Sequence, residues 1–299
     1  MAPRLIQEGK IQILGQTLNS VVYSVSSDSK TGFAADSPSV LKGGTVWYEG
    51  REALGPGKSA EESDERARKE ASIYDVLGHH DRILGYLGLE VAVISEGAAP
   101  KAWAVRLERA PYGALRDYIV NNKANPPDER TRLQLAMQFA EGVAHIHRRG
   151  VVWGDLSTRN ALLFDDWCIK LGDFAHSDLV ENYPEDWYMC ETRYCPPGSD
   201  RPHRNTVGTM NREIFALGTA IYEIVEWKVP YGPVTEVSED EVTTALADGN
   251  WPQLNTGNPA EAIIRGCWEY KYESSQRVLD DLRCLGKDTT RHNLNVVEN

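Results

Sequence analysis

Cysteine is scarce in this 299-residue chain, with five in all: Cys168, Cys190, Cys195, Cys267 and Cys284. They are scattered, odd in number and form no CxxC pair, so neither a disulfide framework nor a zinc site is expected and the thiols read as reduced. Long hydrophobic runs are missing as well. The longest, "IFALGTAIYEIVEW", is interrupted by Glu223 and Glu226, which excludes a membrane-spanning helix there. The start, "MAPRLIQEGK", lacks the apolar core of a signal peptide. Positive charge is the minority, 32 Lys and Arg against 44 Asp and Glu, for a formal net charge of −12. That balance argues against nucleic acid or an anionic membrane as a partner. A cytoplasmic protein is expected, with the nucleus as the other compartment consistent with this composition.

What is present divides in two. The first third reads as strands and loops. "KIQILGQTLNSVVYSV" alternates apolar residues around a polar turn, as a β-hairpin does, and "SPSVLKGG" predicts a third strand. "LEVAVISEG" and "AWAVRLER" predict two more. Between them "SDERARKEASIYDVLGHH" has helical spacing, with Ser63 or Asp64 as N-cap. The Gly-, Ser- and acid-rich "EGREALGPGKSAEESD" reads as a mobile loop. After "APYGALRD" the character turns helical. "ERTRLQLAMQFAEGVAHIHRRG" predicts a long amphipathic helix ending at Gly150, and "NREIFALGTAIYEIVEW" a helix buried on all sides. "EVTTALADG", "PAEAIIRGCWEY" and "QRVLDDLRCLG" predict the remaining helices. No internal repeat is visible.

Within "VVWGDLSTRNALLF", Asp155 and Asn160 lie five positions apart on a polar stretch between apolar flanks. Two such oxygen-bearing side chains can hold a hard cation such as Mg²⁺. They can equally form turns with their own backbone. The local pattern leaves both readings open.

Other residues join them in order: Lys42 at the end of a predicted strand, Glu70 in the following helix, and Asp173 in "LGDFAHS", thirteen positions after Asn160. This set resembles the eukaryotic protein kinase family, with its strand lysine, helix glutamate, catalytic-loop Asp and Asn, and DFG aspartate. "LERAPYGAL" resembles the hinge of that family, with Leu107 at the gatekeeper position. "ETRYCPPG" resembles the close of its activation segment, "EIFALG" the start of its central buried helix, with Glu213 where Asp is usual, and "GCWEY" with the later "QR" its tail signature. The resemblance runs from about Ile11 to about Leu285. It implies an α+β bilobal fold: a small β-rich N-lobe with one main helix (residues 1–109) and a larger, mostly α-helical C-lobe (residues 110–299).

The resemblance also implies ATP and Mg²⁺ as cofactors and a protein substrate. Lys42, held by Glu70, is expected at the α and β phosphates, Asp155 as base toward the acceptor hydroxyl, and Asn160 and Asp173 on the metal. Val22 and Leu162 are expected on either side of the adenine, with backbone groups of Glu108 and Ala110 at its edge, where side-chain identity matters little. Gly15, Thr17 and Ser20 fall on the three positions of the glycine-rich loop.

This chain departs from the pattern at several points. Two of those three loop glycines are replaced, by Thr17 and Ser20. His-Arg-Asp is here Trp153-Gly154-Asp155, which removes the arginine that receives a phosphorylated activation segment. Ser157 replaces the lysine of the serine/threonine type, while Arg159 matches the arginine of the tyrosine type and is expected to offset charge on the transferred phosphate. DFG is DFA at Ala175. Gly198 replaces the APE glutamate, which leaves Arg277 without its usual partner. Between Asp173 and Gly198, the residues Asp178, Glu181, Glu185, Asp186 and Glu191 read as a solvated acidic face. An ATP-dependent protein kinase acting on Ser/Thr, with Tyr as the other acceptor, is the favoured reading. A pseudokinase, holding nucleotide without transfer, and a kinase-like small-molecule phosphotransferase are the alternatives.

Overall fold

The structure is a computed structural model, and it describes residues 2–17, 20–26, 33–49, 51–54, 60–93, 99–183, 191–197, 209–233 and 235–297. They form two compact units, one of residues 1–79 with 84–109, the other of residues 80–83 with 110–299.

The first unit is built on a sheet. A short helix α1 (Ala2–Gln7) precedes strands β1 (Ile11–Gln16), β2 (Val21–Val25) and β3 (Ser39–Gly43). Strands β4 (Val46–Tyr48) and β5 (Arg51–Leu54) pair as a separate hairpin, helix α2 (Ala60–Leu77) follows, and β6 (Tyr86–Ala92) and β7 (Lys101–Glu108) complete the unit. The main sheet is five-stranded and antiparallel, in the order β1-β2-β3-β7-β6. Alternation decides its core: Ile11, Val21, Tyr23, Leu41 and Ala104 meet on one face together with Val46. The Tyr23 hydroxyl accepts from the Trp47 amide at 3.0 Å, and Trp47 stacks on Trp103. On α2, Ser63, Ala67, Glu70, Tyr74 and Leu77 are all buried. They recur every three or four residues, so Glu70 occupies the inward stripe of the helix.

Two expectations fail here. The stretch read as a mobile loop contains strand β5, which pairs with β4 just before it, and the first turn of α2; these short strands carry too little alternation to be seen. Helix α2 starts at Ala60, so Ser63 and Asp64 lie inside it and neither is its N-cap. Asp64 instead pairs with Arg68 at 2.9 Å and accepts from the Ala102 amide.

The second unit is mainly helical: α3 (Leu115–Asn121), α4 (Glu129–Arg148), α5 (Thr209–Glu226), α6 (Glu239–Ala247), α7 (Glu261–Trp268) and α8 (Ser275–Val297). Short strands β8 (Val151–Val152), β9 (Ala161–Leu163), β10 (Ile169–Leu171) and β11 (Asp178–Leu179) pair as β9 with β10 and β8 with β11. Asp128 caps α4 by accepting from the Thr131 amide at 2.7 Å, and Gly150 ends the turn with φ +71°. Helix α5 is buried from Arg212 to Glu226. Gly218 lets α7 approach closely, because a Cβ there would strike Cys267. No described helix is long and apolar enough to cross a membrane.

The hydrogen bond from Thr131 holds the exposed Asp128 carboxyl below its ordinary pKa. Its capping contribution is therefore present above the ordinary carboxylate value and disappears as pH falls through the lowered one. Asp128→Ala is expected to unfold at lower temperature than the parent at pH 7, with the gap closing under acid, as followed by thermal melts across pH.

Candidate active site

In the sheet unit, strand register places four residues in one row. Gly15 pairs with Val22, Val22 with Lys42, and Lys42 with Val105. Lys42 Nζ lies 2.8 Å from Glu70 Oε1, and both side chains are almost fully buried. An ion pair at this depth loses hydration that only good geometry offsets. Gly15 sits beside a bulge in β1, and the space its Cβ would fill is open. The Thr17 and Ser20 hydroxyls lie 3.2 Å apart, and the Ser20 amide donates to Thr17 Oγ1 at 3.1 Å, so the two replaced glycine positions clasp each other. Leu107 is buried and pairs with Val40 and Tyr86. Glu108 Oε1 accepts from the Gly85 amide at 2.6 Å, so its side chain ties two segments, contrary to the expectation that its identity matters little.

In the helical unit, residues 153–160 join β8 to β9. Gly154 adopts φ +83°. Glu213, wholly buried at the start of α5, accepts from the Trp153 amide at 3.1 Å and the Gly154 amide at 2.8 Å, and its Oε2 lies 2.8 Å from His147 Nε2. Trp153 is buried between Phe139 and Phe174, and its indole donates to the carbonyls of Gly172 and Asp173. Asn160 Nδ2 donates to the Asp155 carbonyl at 2.8 Å and to Asp155 Oδ2 at 3.0 Å. Arg159 Nη2 lies 3.5 Å from Asp155 Oδ1. Burial raises the Asp155 carboxyl above its ordinary pKa, while Arg159 and Asn160 pull it down and Asp173 adds to the rise. Asp173 is half-buried with φ +55°. Leu162 pairs with Lys170 and bridges Ala114, and Ala110 is half-buried.

The structure thus brings Asp155, Arg159 and Asn160 into direct contact, and Lys42 with Glu70. As oxygen donors for a cation, Asn160 and Asp173 supply one amide and one carboxylate, and no cluster of three His, Cys, Asp or Glu exists among the described residues. An amide oxygen and a carboxylate are donors of the kind that Mg²⁺ takes.

Sequence reasoning missed a second cluster. Arg116 of α3, nearly buried, donates to Glu223 Oε2 at 2.7 Å, Glu191 Oε1 at 3.1 Å and Thr158 Oγ1 at 3.2 Å, and pairs also with Glu223 Oε1. Tyr194 OH donates to Glu223 Oε2 at 2.7 Å. Arg193, fully buried, donates to the carbonyls of Gly232 and Val237 and to Glu239. Glu191 is therefore no part of a solvated face. Its side chain is 5% exposed. The signal was Glu223, a carboxylate within the apolar run of α5, which calls for a buried cation. Glu185, Asp186 and Gly198 lie outside the described residues. Cys195 is disulfide-bonded, which corrects the reading of all thiols as reduced. Arg277 stays exposed and reaches Asp281 at 4.0 Å.

A Cβ at Gly154 would strike the His176 carbonyl and come within 2.7 Å of Tyr183 Oη, on a backbone that disfavours side chains. Gly154→Ala is expected to lower stability by about 1–3 kcal/mol in urea unfolding, and Gly154→Arg by at least as much without creating a phosphate receptor.

A sequence profile described as protein tyrosine and serine/threonine kinase matches residues 55–279. The chain is 26% identical over 190 residues to a probable LIM domain-containing serine/threonine-protein kinase of Dictyostelium discoideum, covering 60% of this chain and 27% of that protein. It is 28% identical over 202 residues to the human serine/threonine-protein kinase LMTK1, covering 61% of this chain and 15% of that one. It is 30% identical over 166 residues to the BDNF/NT-3 growth factors receptor of Gallus gallus, covering 51% and 19% respectively. The matches span about a quarter or less of these relatives. With its sheet-rich first unit, its helical second unit and a profile match over most of its length, the chain belongs to the protein kinase family.

Proposed function

We propose that the chain is an ATP-dependent protein kinase that transfers the γ-phosphoryl group to a hydroxyl of a protein, Ser or Thr before Tyr. The contact of Asp155 with Asn160 and Arg159 carries this reading, because it gives one carboxylate a fixed direction and a neighbouring cation. In the transfer, the acceptor oxygen bonds to the γ-phosphorus, the bond from that phosphorus to the β–γ bridging oxygen breaks, and ADP departs. Asp155 takes the hydroxyl proton. Its burial favours the protonated state, which suits a group that must accept a proton. Asn160 keeps Oδ2 of Asp155 in place, and Arg159 offsets charge on the moving phosphoryl group. Lys42, locked by Glu70, is assigned to the α and β phosphates. Mg²⁺ held by Asn160 and Asp173 would neutralise phosphate charge.

The Thr17–Ser20 clasp favours a second reading, a nucleotide-holding pseudokinase. Hydroxyls there replace glycines whose bare backbone N–H groups would approach phosphates.

ADP release from Mg-ATP with pooled Ser/Thr and Tyr peptides tests the two. Under the first reading Asp155→Asn lowers turnover by about 100-fold or more, and the labelled peptide names the acceptor. Equal background signal from both proteins would leave the pseudokinase reading.

A further inference from the structure

The Glu191 carboxylate has cations on both oxygens. Oε1 lies 3.1 Å from Arg116 Nη1 and 3.9 Å from Arg193 Nη1, and both guanidinium groups are themselves buried and anchored, to Glu223 and Glu239 respectively. Oε2 is buried, receives no hydrogen bond and lies 3.4 Å from Arg159 Nε. Arg159 in turn places Nη2 at 3.5 Å from Asp155 Oδ1. A guanidinium that is half exposed is thus stretched between two carboxylates at nearly equal distances. A role in neutralising Arg116 would need only Oε1, and Glu223 already pairs with that arginine. Oε2 is directed at Arg159. Among the described contacts, Oε2 is the group that balances the pull of Asp155 on Arg159.

We propose that Glu191 is a positioning residue for phosphoryl transfer: fixed by Arg116 and Arg193, it holds Arg159 by Nε, limits the contact of that guanidinium with Asp155 to the long Nη2 approach, and so leaves it able to turn to the transferred phosphate. The inference rests on the reading of Asp155 and Arg159 as groups of the reaction, and assigns a task to a residue that lies 36 positions away from Asp155 in the sequence. Planarity matters here, because a guanidinium carries its Nε and Nη donors on separate nitrogens in a rigid fork, whereas the three donors of an ammonium rotate about one nitrogen.

A double-mutant cycle tests it, with kcat and KM for Mg-ATP and peptide measured in the parent, Glu191→Gln, Arg159→Ala and the double variant. Glu191→Gln keeps the side-chain shape and removes its charge. It is expected to lower kcat by about 10- to 100-fold with KM for Mg-ATP nearly unchanged, and to have an effect within about twofold once Arg159 is absent. In Glu191→Ala, added acetate is expected to restore part of kcat in a saturable way, and to restore none in the Arg159→Ala background. An equal loss with and without Arg159 would overturn the inference, and so would a loss explained wholly by a lower melting temperature. Parent turnover insensitive to Asp155→Asn would overturn the underlying reading and the inference with it.

Discussion

Everything around Asp155 depends on one buried carboxylate. Glu213 is wholly enclosed, and it is held there by three donors or potential donors: the amides of Trp153 and Gly154 and the ring of His147. A carboxylate removed from water is tolerable only when its lone pairs are occupied. The same bonds therefore satisfy Glu213 and fix the backbone that leads into Asp155. Because Glu213 belongs to α5 and His147 to α4, two long helices jointly set the position of a short polar stretch. Trp153 secures it from the other side, filling the core between two phenylalanines while its indole ties down Gly172 and Asp173. A segment with little regular structure of its own thereby acquires the rigidity of its supports.

The second cluster works by charge alternation. Arg116, Arg159 and Arg193 are interleaved with Asp155, Glu191, Glu223 and Glu239, so that each buried ion faces at least one of opposite sign. Such an arrangement contributes little net stability compared with apolar packing of the same volume, but any single deletion strands a charge in a dry interior. It defines which segments must meet. Residues 191–194, α3, α5 and the stretch carrying Thr158 are joined by named bonds rather than by general apolar contact.

Much of this was legible in the chain, for identifiable reasons. The β1–β2 hairpin follows from alternation, and α4 from a periodic stripe bounded by Asp128 and Gly150. Asp155 and Asn160 were visible because their contact is local. Lys42 and Glu70 lie 28 positions apart, and only the resemblance to a family linked them before the structure did. The β4–β5 hairpin and α3 were too short to show a period, and α8 continues to Val297, well beyond the stretch its apolar residues mark. The arginine cluster was hidden for a different reason. Its partners are separated by up to 107 positions, and a charged residue carries no sign in the sequence of whether it faces water. Glu191 in a run of acids read as solvent-facing, while three arginines waited for it in the fold.

The packing around Gly154 bears on the order in which substitutions can be accepted. The volume beside its Cα is already taken by the His176 carbonyl and the Tyr183 hydroxyl. Removing Tyr183 would clear only the second of these, because the first is main chain and no substitution deletes it. A side chain at position 154 must then wait until the backbone at residue 176 has moved, and a change that frees this backbone has to come first. The glycine acts as a ratchet: simple to retain, and costly to reverse in one step.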